Sequence, residues 1–158
     1  MGVVPGQQQA NQALSIYGGS PSLLLQYAMV NHRAYLYPPI TGDYEITVLY
    51  SDDITLVWVG PNAYTGYTRQ NANLEQTYVQ GGTTVKTVKV RLVEGSYTPF
   101  RVMWANAQGD FAFLVEVKAP NGDIIFNGEV SAQGYLVRFA CPPMRDVTPD
   151  FPAFGARG

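Results

Sequence analysis

The chain has 158 residues, the size of one ordinary domain that can bury a substantial core. Its net charge is -2 and only 14% of its residues are charged, so we expect neither a nucleic-acid surface nor a polybasic membrane face. Cys141 is the only cysteine, which excludes an internal disulfide and a thiolate zinc cluster. No window resembles a membrane span and no signal-peptide pattern opens the sequence, so the chain as written is expected to be soluble.

Composition divides the chain into three parts. Residues 1–22 are rich in Gln, Gly, Ser and Asn and are expected to form a flexible lead-in. Residues 23–140 alternate apolar runs with turn residues, which is typical of a β-sandwich domain. Residues 141–158 are too rich in proline for a strand and should form an extended strap that packs or dangles.

Apolar and β-branched runs separated by Pro, Gly, Asn and Asp predict strands along the central part. The segment 23–29 is compatible with a strand or with a single helical turn. The other candidate strands, in chain order, are Ala34–Tyr37, Tyr44–Tyr50, Ile54–Val59, Gln76–Val79, Val85–Val93, Tyr97–Trp104, Phe111–Lys118, Ile124–Phe126 and Tyr135–Phe139.

Alternation and turn chemistry indicate an antiparallel arrangement. In 85–93, valine and leucine alternate with lysine and arginine, which predicts one buried face and one wet face. Asn121–Gly122 predicts a tight hairpin, and Gly81–Gly82 predicts another. No long stretch has a helical stripe, so the predicted fold is all-β: an antiparallel β-sandwich or a partly closed barrel.

Asp52 and Asp53 stand together at the start of the most apolar candidate strand. Two adjacent carboxylates repel each other and raise each other's pKa unless a cation or open water compensates them. A hard cation such as Ca2+ suits such a pair, because it takes oxygen ligands in irregular geometry. A solvated turn is the simpler alternative for the pair alone.

Several segments in this order resemble the fungal GLEYA and protective-antigen-type adhesin domains, the lectin-like modules of yeast flocculins and epithelial adhesins. The match spans roughly residues 33 to 139. Its segments are Ala34–Tyr44, Ser51–Gly60, Asn62–Arg69 with Ala72–Leu74, Glu94–Gln108 and the hairpin Pro120–Gly122.

The resemblance implies a calcium site. In that family two adjacent aspartates, joined by a cis peptide bond, coordinate Ca2+, and sugar hydroxyls take its open positions. Asp52 and Asp53 look like that pair. Asn106 matches the Asn of a second loop, and Gln108 and Asp110 fall where main-chain carbonyls bind the metal.

The sequence also departs from the family pattern. Asp110 stands where flocculin-like members carry an apolar or aromatic residue, which would favour the metal and weaken sugar stacking. The string Gly-Leu-Glu-Tyr-Ala is absent, and Asn73–Glu75 is only a fragment of similar character. The signal peptide and paired cysteines common in secreted adhesins are also missing.

Three further side chains are candidates for ligand binding. Tyr64 and Tyr67 could stack on a sugar, although exposed tyrosines are also common on β-sandwiches. Arg69 could clamp a ligand carboxylate, but a surface pair with Glu75 is the simpler interpretation.

Other conspicuous residues have structural explanations. Trp58 and Trp104 lie in apolar strands and are expected in the core rather than under a sugar. Asn106 alone could simply cap a turn, and only its pairing with the Asp-Asp loop points to a metal. His32 is the sole histidine, so a Ser-His-Asp triad or a histidine metal site is not expected, and the chain is predicted not to be an enzyme.

Two functions follow. The first is a calcium-dependent carbohydrate-binding adhesion module that recognises a cell-surface glycan, with no nucleic-acid partner and no membrane insertion. The family resemblance implies an extracellular or cell-surface location, while the missing leader leaves an intracellular one open. The alternative is a structural or assembly protein whose sandwich self-associates as a homo-oligomer without binding glycan.

Overall fold

A computed structural model describes residues 2–3, 12–16, 20–79, 84–127, 134–138 and 148–152. They form twelve β-strands and two 3₁₀ turns, and within these ranges there is no α-helix and no helix able to cross a membrane. The strands are β1 (Gly2–Val3), β2 (Ala13–Leu14), β3 (Leu23–Leu24), β4 (Ala28–Leu36), β5 (Gly42–Asp52), β6 (Ile54–Val59), β7 (Leu74–Thr77), β8 (Lys86–Leu92), β9 (Thr98–Asn106), β10 (Ala112–Lys118), β11 (Ile124–Phe126) and β12 (Leu136–Val137), and the 3₁₀ turns are Pro61–Ala63 and Arg69–Asn71.

The strands build two open sheets that face each other. The first sheet has the order β1-β10-β5-β8, with β11 also beside β10, and the second has the order β12-β4-β9-β6-β7. A separate ribbon pairs β2 with β3. Every pair among these strands is antiparallel, so the predicted antiparallel β-sandwich is confirmed.

The core lies between the sheets because each strand turns alternate side chains inward. In β5, Tyr44, Ile46 and Val48 are buried, while Glu45 reaches outward and pairs with Lys89 at 3.1 Å. The main apolar cluster collects side chains from both sheets, among them Leu36, Val57, Leu92, Phe100, Val102, Val115, Val117 and Phe126.

Most predicted strands are present, with shifted ends. β11 coincides with its prediction, and Gly122 (φ +94°) closes the expected hairpin, in which Ala119 N–H donates to the Asp123 carbonyl at 2.8 Å. The predicted hairpin at 81–82 lies outside the described residues, as does the end of the last candidate strand, of which β12 is observed.

Two parts of the chain differ from expectation. β4 begins at Ala28, well before the predicted Ala34. Covered and exposed side chains alternate from Ala28 to Arg33, but the inward set includes His32 and the exposed set includes Met29, so an apolar pattern does not reveal the strand. The lead-in 1–22 was expected to be flexible, yet its described parts include β1 and β2. Apolar Leu14 and Ile16 pack against a second core cluster around Leu25 and Trp104, and this contact explains the order there.

Candidate functional site

Two loops cross between the sheets at the same end of the sandwich. In one loop, β5 ends at Asp52 and β6 begins at Ile54; in the other, β9 ends at Asn106 and β10 begins at Ala112. Strand register joins the loops on both sides, since Asp52 pairs with Ala112 and Ile54 pairs with Ala105. The structure therefore brings the Asp-Asp pair and the Asn loop together. We call Asp52, Asp53, Asn106 and the loop 107–110 the crossover site.

Hydrogen bonds fix the Asp-Asp pair against the second loop. The N–H of Asp53 donates to the Ala105 carbonyl at 3.1 Å, and the N–H of Ala107 donates to Asp53 Oδ2 at 2.6 Å. The buried indole of Trp104 donates from Nε1 to the Asp52 carbonyl at 2.7 Å. The Asp52–Asp53 peptide bond is cis, as the resemblance implies. Both carboxylates are thus attached to backbone that the core holds in place.

Asn106 has an oxygen that no group in the described part of the chain satisfies. The residue is only 4% exposed, and its Nδ2 donates to the Leu25 carbonyl at 2.9 Å. That bond identifies the other amide atom as Oδ1, which is buried and has no hydrogen-bond partner. A buried polar atom without a partner costs about 1–3 kcal/mol, so an acceptor in this position calls for a ligand.

Negative charge accumulates at the crossover site. Burial is the largest of the causes that together raise the pKa of Asp52 to about 6, and the others are the charge of Asp53, a hydrogen bond with Asp53 and the charge of Asp110. Like charges near a partly buried carboxyl disfavour its ionised form. A bound cation would reverse this balance.

The loop 107–110 forms the exposed wall of the site. Gly109 has φ +96°, which other residues adopt only with strain, and Gln108 and Asp110 are exposed. The Gln108 side chain accepts a hydrogen bond from the Tyr27 hydroxyl at 3.0 Å. This bond engages the Gln108 side chain, and the metal role that the resemblance implies for its main-chain carbonyl stays a prediction.

The donor chemistry of the crossover site suits a hard cation. Among the described residues, no group of three or more His, Cys, Asp and Glu side chains is arranged to hold a metal by itself. The available donors are instead two carboxylates, one unsatisfied amide oxygen and loop carbonyls, an all-oxygen set of the kind that Ca2+ takes. The residues present are compatible with such an ion.

The structure places Tyr64, Tyr67 and Arg69 elsewhere. Gly60 (φ +83°) turns the chain after β6, and residues 61–73, which we call the cover segment, pack on the outer face of the second sheet. Trp58, the strand residue beneath Tyr67, lies four positions along β6 from Ile54, about 13 Å from the crossover site. The structure therefore does not bring these three residues to the crossover site, and their role in ligand binding stays a prediction.

The cover segment instead satisfies buried groups of the sheet. Arg101, 2% exposed, donates to the Ala63 carbonyl at 2.7 Å, to the Tyr64 carbonyl at 3.0 Å and to Asn31 Oδ1 at 2.7 Å. Its guanidinium lies 3.9 Å from the centre of the Tyr67 ring. The Tyr67 ring therefore has a structural role against Arg101, and Tyr64 serves Arg101 through its main-chain carbonyl.

The structural interpretations of Arg69, Trp58 and Trp104 are confirmed. Arg69 pairs with Glu75 through two hydrogen bonds of 2.6 and 2.8 Å. Trp58 and Trp104 are 1% and 0% exposed. His32 lies on the inner face of β4 against Phe113, and burial lowers its pKa to about 4, so it is neutral at pH 7.

Sequence reasoning missed two tyrosines beside the crossover site. Tyr27 is 75% exposed and its N–H donates to the Ala107 carbonyl. Tyr78 is 51% exposed and its N–H donates to the Asp53 carbonyl at 2.5 Å. Neither has a local signal in the sequence, because each depends on strand pairs that are distant along the chain.

The part of the strap that is described packs on the same outer face as the cover segment. The Tyr35 hydroxyl donates to the Asp150 carbonyl at 2.9 Å. The Phe151 ring is buried and lies 5.0 Å from the Tyr64 ring and 5.6 Å from the Tyr35 ring. Residues 148–152 therefore reinforce the cover and lie away from the crossover site.

Comparison with known proteins gives the same fold. The epithelial adhesin 9 A domain from Candida glabrata, solved in complex with Galβ1-4GlcNAc, matches with a TM-score of 0.61 and 21% identity over 77% of this chain and 57% of that one. The epithelial adhesin 6 A domain from Candida glabrata, in complex with Galβ1-3GlcNAc, matches with a TM-score of 0.60 and 22% identity over 90% of this chain and 62% of that one.

The chain thus spans less than two thirds of the length of these adhesin domains. No curated protein matches the chain significantly. The GLEYA domain family model matches residues 28–119, a stretch that includes both loops of the crossover site. Since this match covers more than half of the chain, the protein belongs to the GLEYA domain family.

Proposed function

We propose that the protein is a carbohydrate-binding adhesion module that works at a cell surface and depends on Ca2+. The observation that carries this proposal is the buried, unpartnered Oδ1 of Asn106 beside a loop whose N–H contacts the Asp53 carboxylate. Membership of the GLEYA family supports it. So do the two adhesin domains of the same fold that were solved with galactose-containing glycans.

Five residues would hold the ion. Asp52 and Asp53 would supply carboxylate oxygens, Asn106 its Oδ1, and Gln108 and Asp110 their main-chain carbonyls. The protein's own contribution is orientation: Trp104 holds the main chain of Asp52, and the Leu25 carbonyl holds the Asn106 amide, before any ligand arrives. A bound Ca2+ supplies open coordination positions at which neighbouring sugar hydroxyls can replace water.

Calcium titration by calorimetry tests the metal site. Asp53→Ala and Asn106→Ala each remove one proposed oxygen ligand and should weaken calcium binding at least a hundredfold, since outer-shell changes alone typically cost about 10–100-fold. Asp43→Ala is the matched control: it removes an exposed carboxylate that pairs with Arg91 at 3.7 Å and should leave calcium affinity unchanged. Calcium binding that survives both site variants would remove the proposed ligands.

Glycan binding is tested separately. The wild-type protein should bind immobilised Galβ1-4GlcNAc or Galβ1-3GlcNAc in Ca2+ and lose binding in EDTA, whereas Asp53→Ala should bind in neither. Multi-angle light scattering on the same samples reports the oligomeric state. A stable oligomer that ignores both Ca2+ and glycans would contradict the lectin function and support the assembly function instead.

A further inference from the structure

Tyr27 has an unusual position for an aromatic residue. It lies between β3 and β4, its side chain is 75% exposed, and its φ is +48°. A bulky residue rarely adopts positive φ, and such outliers concentrate at binding sites. Neither burial nor turn chemistry explains a tyrosine here, since glycine or asparagine would occupy this backbone more easily.

Two hydrogen bonds attach Tyr27 to the wall of the crossover site. Its N–H donates to the Ala107 carbonyl, and its hydroxyl donates to Gln108 Oε1 at 3.0 Å. The N–H of Ala107 in turn donates to Asp53 Oδ2 at 2.6 Å. One short chain of contacts therefore runs from the Tyr27 ring to the Asp53 carboxylate.

The tether restricts the ring while leaving it open to solvent. Because the hydroxyl is held by Gln108, the ring loses little further freedom when a ligand covers it. Neighbouring apolar side chains are exposed as well, with Leu24 at 59% and Met29 at 65%. Exposed apolar surface gathered beside a polar site is typical of a binding surface.

We propose that the Tyr27 ring is the surface on which the sugar stacks, which we call the platform. It selects pyranose rings that have an uninterrupted face of C–H groups on the side of Tyr27 and adjacent hydroxyls that point to the crossover site. This inference rests on the proposed function and deepens it. Tyrosine suits the task because its ring offers an apolar face while its hydroxyl stays hydrogen-bonded. The platform also offsets the departure at Asp110, which brings charge where other members carry an apolar residue.

Calorimetry with Galβ1-4GlcNAc in saturating Ca2+ measures the contribution of the ring. Tyr27→Ala should weaken glycan binding about tenfold, the size expected for one stacked ring. Its calcium affinity should stay unchanged, because Tyr27 offers no oxygen to the ion. Tyr27→Phe should retain most glycan affinity. Val93→Ala removes an exposed apolar side chain next to Leu92, which pairs with Gly42 at the end of β5 away from the crossover site, and should retain all of it.

A Tyr27→Trp variant reports contact with the sugar by its fluorescence, which would not change if residue 27 had only a structural role. The two native tryptophans are buried, so an exposed indole should report the sugar by a blue shift of its emission when Galβ1-4GlcNAc is added in Ca2+. The platform alone is overturned if the wild type binds glycan and Tyr27→Ala binds it with unchanged affinity. It is also overturned if the emission of Tyr27→Trp does not change at saturating sugar. A wild-type protein that binds no glycan overturns the proposed function together with it.

Discussion

The crossover site and the cover segment differ in how completely they satisfy their own polar groups. In the cover segment, Trp58 Nε1 reaches the Thr68 carbonyl and Asn71 Oδ1, both at 2.9 Å, and the Arg101 guanidinium donates three hydrogen bonds. In the crossover site, the Asn106 oxygen has no partner and burial and neighbouring charge raise the pKa of Asp52.

Both regions looked like binding sites in the sequence, because both combine aromatic, amide and charged residues. The difference between them lies in the balance of donors and acceptors, which only the folded chain reveals. A region whose polar groups are matched internally serves stability, and a region that keeps an acceptor and like charges uncompensated is prepared for a ligand.

The largest expected effect on stability comes from removing the hydrogen bonds between Arg101 and the cover segment. Arg101→Met keeps much of the side-chain volume but leaves the carbonyls of Ala63 and Tyr64 without their donor. We expect a loss of about 3 kcal/mol in the free energy of unfolding, measured by denaturant titration in EDTA. Arg91→Met, an exposed arginine paired with Asp43, is the control and should unfold as the wild type does.

The fraction of the Arg101→Met protein that stays folded should bind Ca2+ with wild-type affinity. This follows because the cover segment supplies no ligand oxygen. A variant that unfolds normally yet loses calcium or glycan binding would show that the two regions are not separate, and the comparison would fail.

The second test removes a group from the crossover site instead of from the contacts of the cover segment. Without Ca2+, Asn106→Ala should change the free energy of unfolding by about 1 kcal/mol or less, since it loses the bond to Leu25 but also removes an unsatisfied oxygen. At a hundredfold excess of Ca2+ over its dissociation constant the wild type gains about 2.7 kcal/mol, and the variant should not. Denaturant titrations with and without Ca2+ measure both quantities.

Asn73→Ala is the matched control for this experiment. The Asn73 side chain accepts a hydrogen bond from the Val59 N–H at 2.7 Å and belongs to the cover segment. Its loss should cost the same with and without Ca2+. If Ca2+ stabilises the Asn106→Ala protein as strongly as the wild type, the Asn106 oxygen does not bind the ion.

The third test uses pH. The pKa of Asp52 is raised to about 6 in the folded state, mainly by burial, and lies near 3.9 in an unfolded chain. The folded state therefore binds the proton more tightly, so without Ca2+ the contribution of Asp52 to stability is greatest below about pH 4 and falls as the pH rises towards 6.

Calcium should reverse the direction of this dependence. The ion competes with the proton, so calcium affinity measured by calorimetry should fall about tenfold for each pH unit below 6. The Asp43→Asn variant should follow the wild type. An affinity that is constant between pH 7 and pH 5 would mean that the Asp52 carboxylate does not take part.

Much of the sandwich could be predicted, because apolar and polar residues that alternate along a strand indicate which of its faces is buried. Val88, Val90 and Leu92 contact the core as their spacing predicts, and the Asn121–Gly122 hairpin closes as expected. β4 was largely missed. Its inner residues include His32 and its outer residues include the exposed Met29, so neither face is simply apolar or simply polar.

The candidate site was predictable to the extent that its chemistry is local. Two adjacent aspartates create their own electrostatic problem, which can be recognised from the sequence. Tyr27 and Trp104 could not be assigned beside them, because their contacts depend on how strands far apart in the chain align. Nothing in the sequence shows that the Tyr67 ring lies over Arg101 or that the Tyr64 ring packs on Phe151, so both tyrosines look only like ligand-binding candidates there.

The pairing of Ile54 with Ala105 has a consequence for how such domains diversify. It holds Asp52 and Asn106 at the ends of paired strands, so the side chains of residues 107–110 can be exchanged without moving either residue. Inserting one residue between Phe100 and Asn106 would instead rotate the amide to the opposite face and abolish it as a ligand. Grafting experiments should therefore swap the exposed loop as a unit and leave the preceding strand untouched.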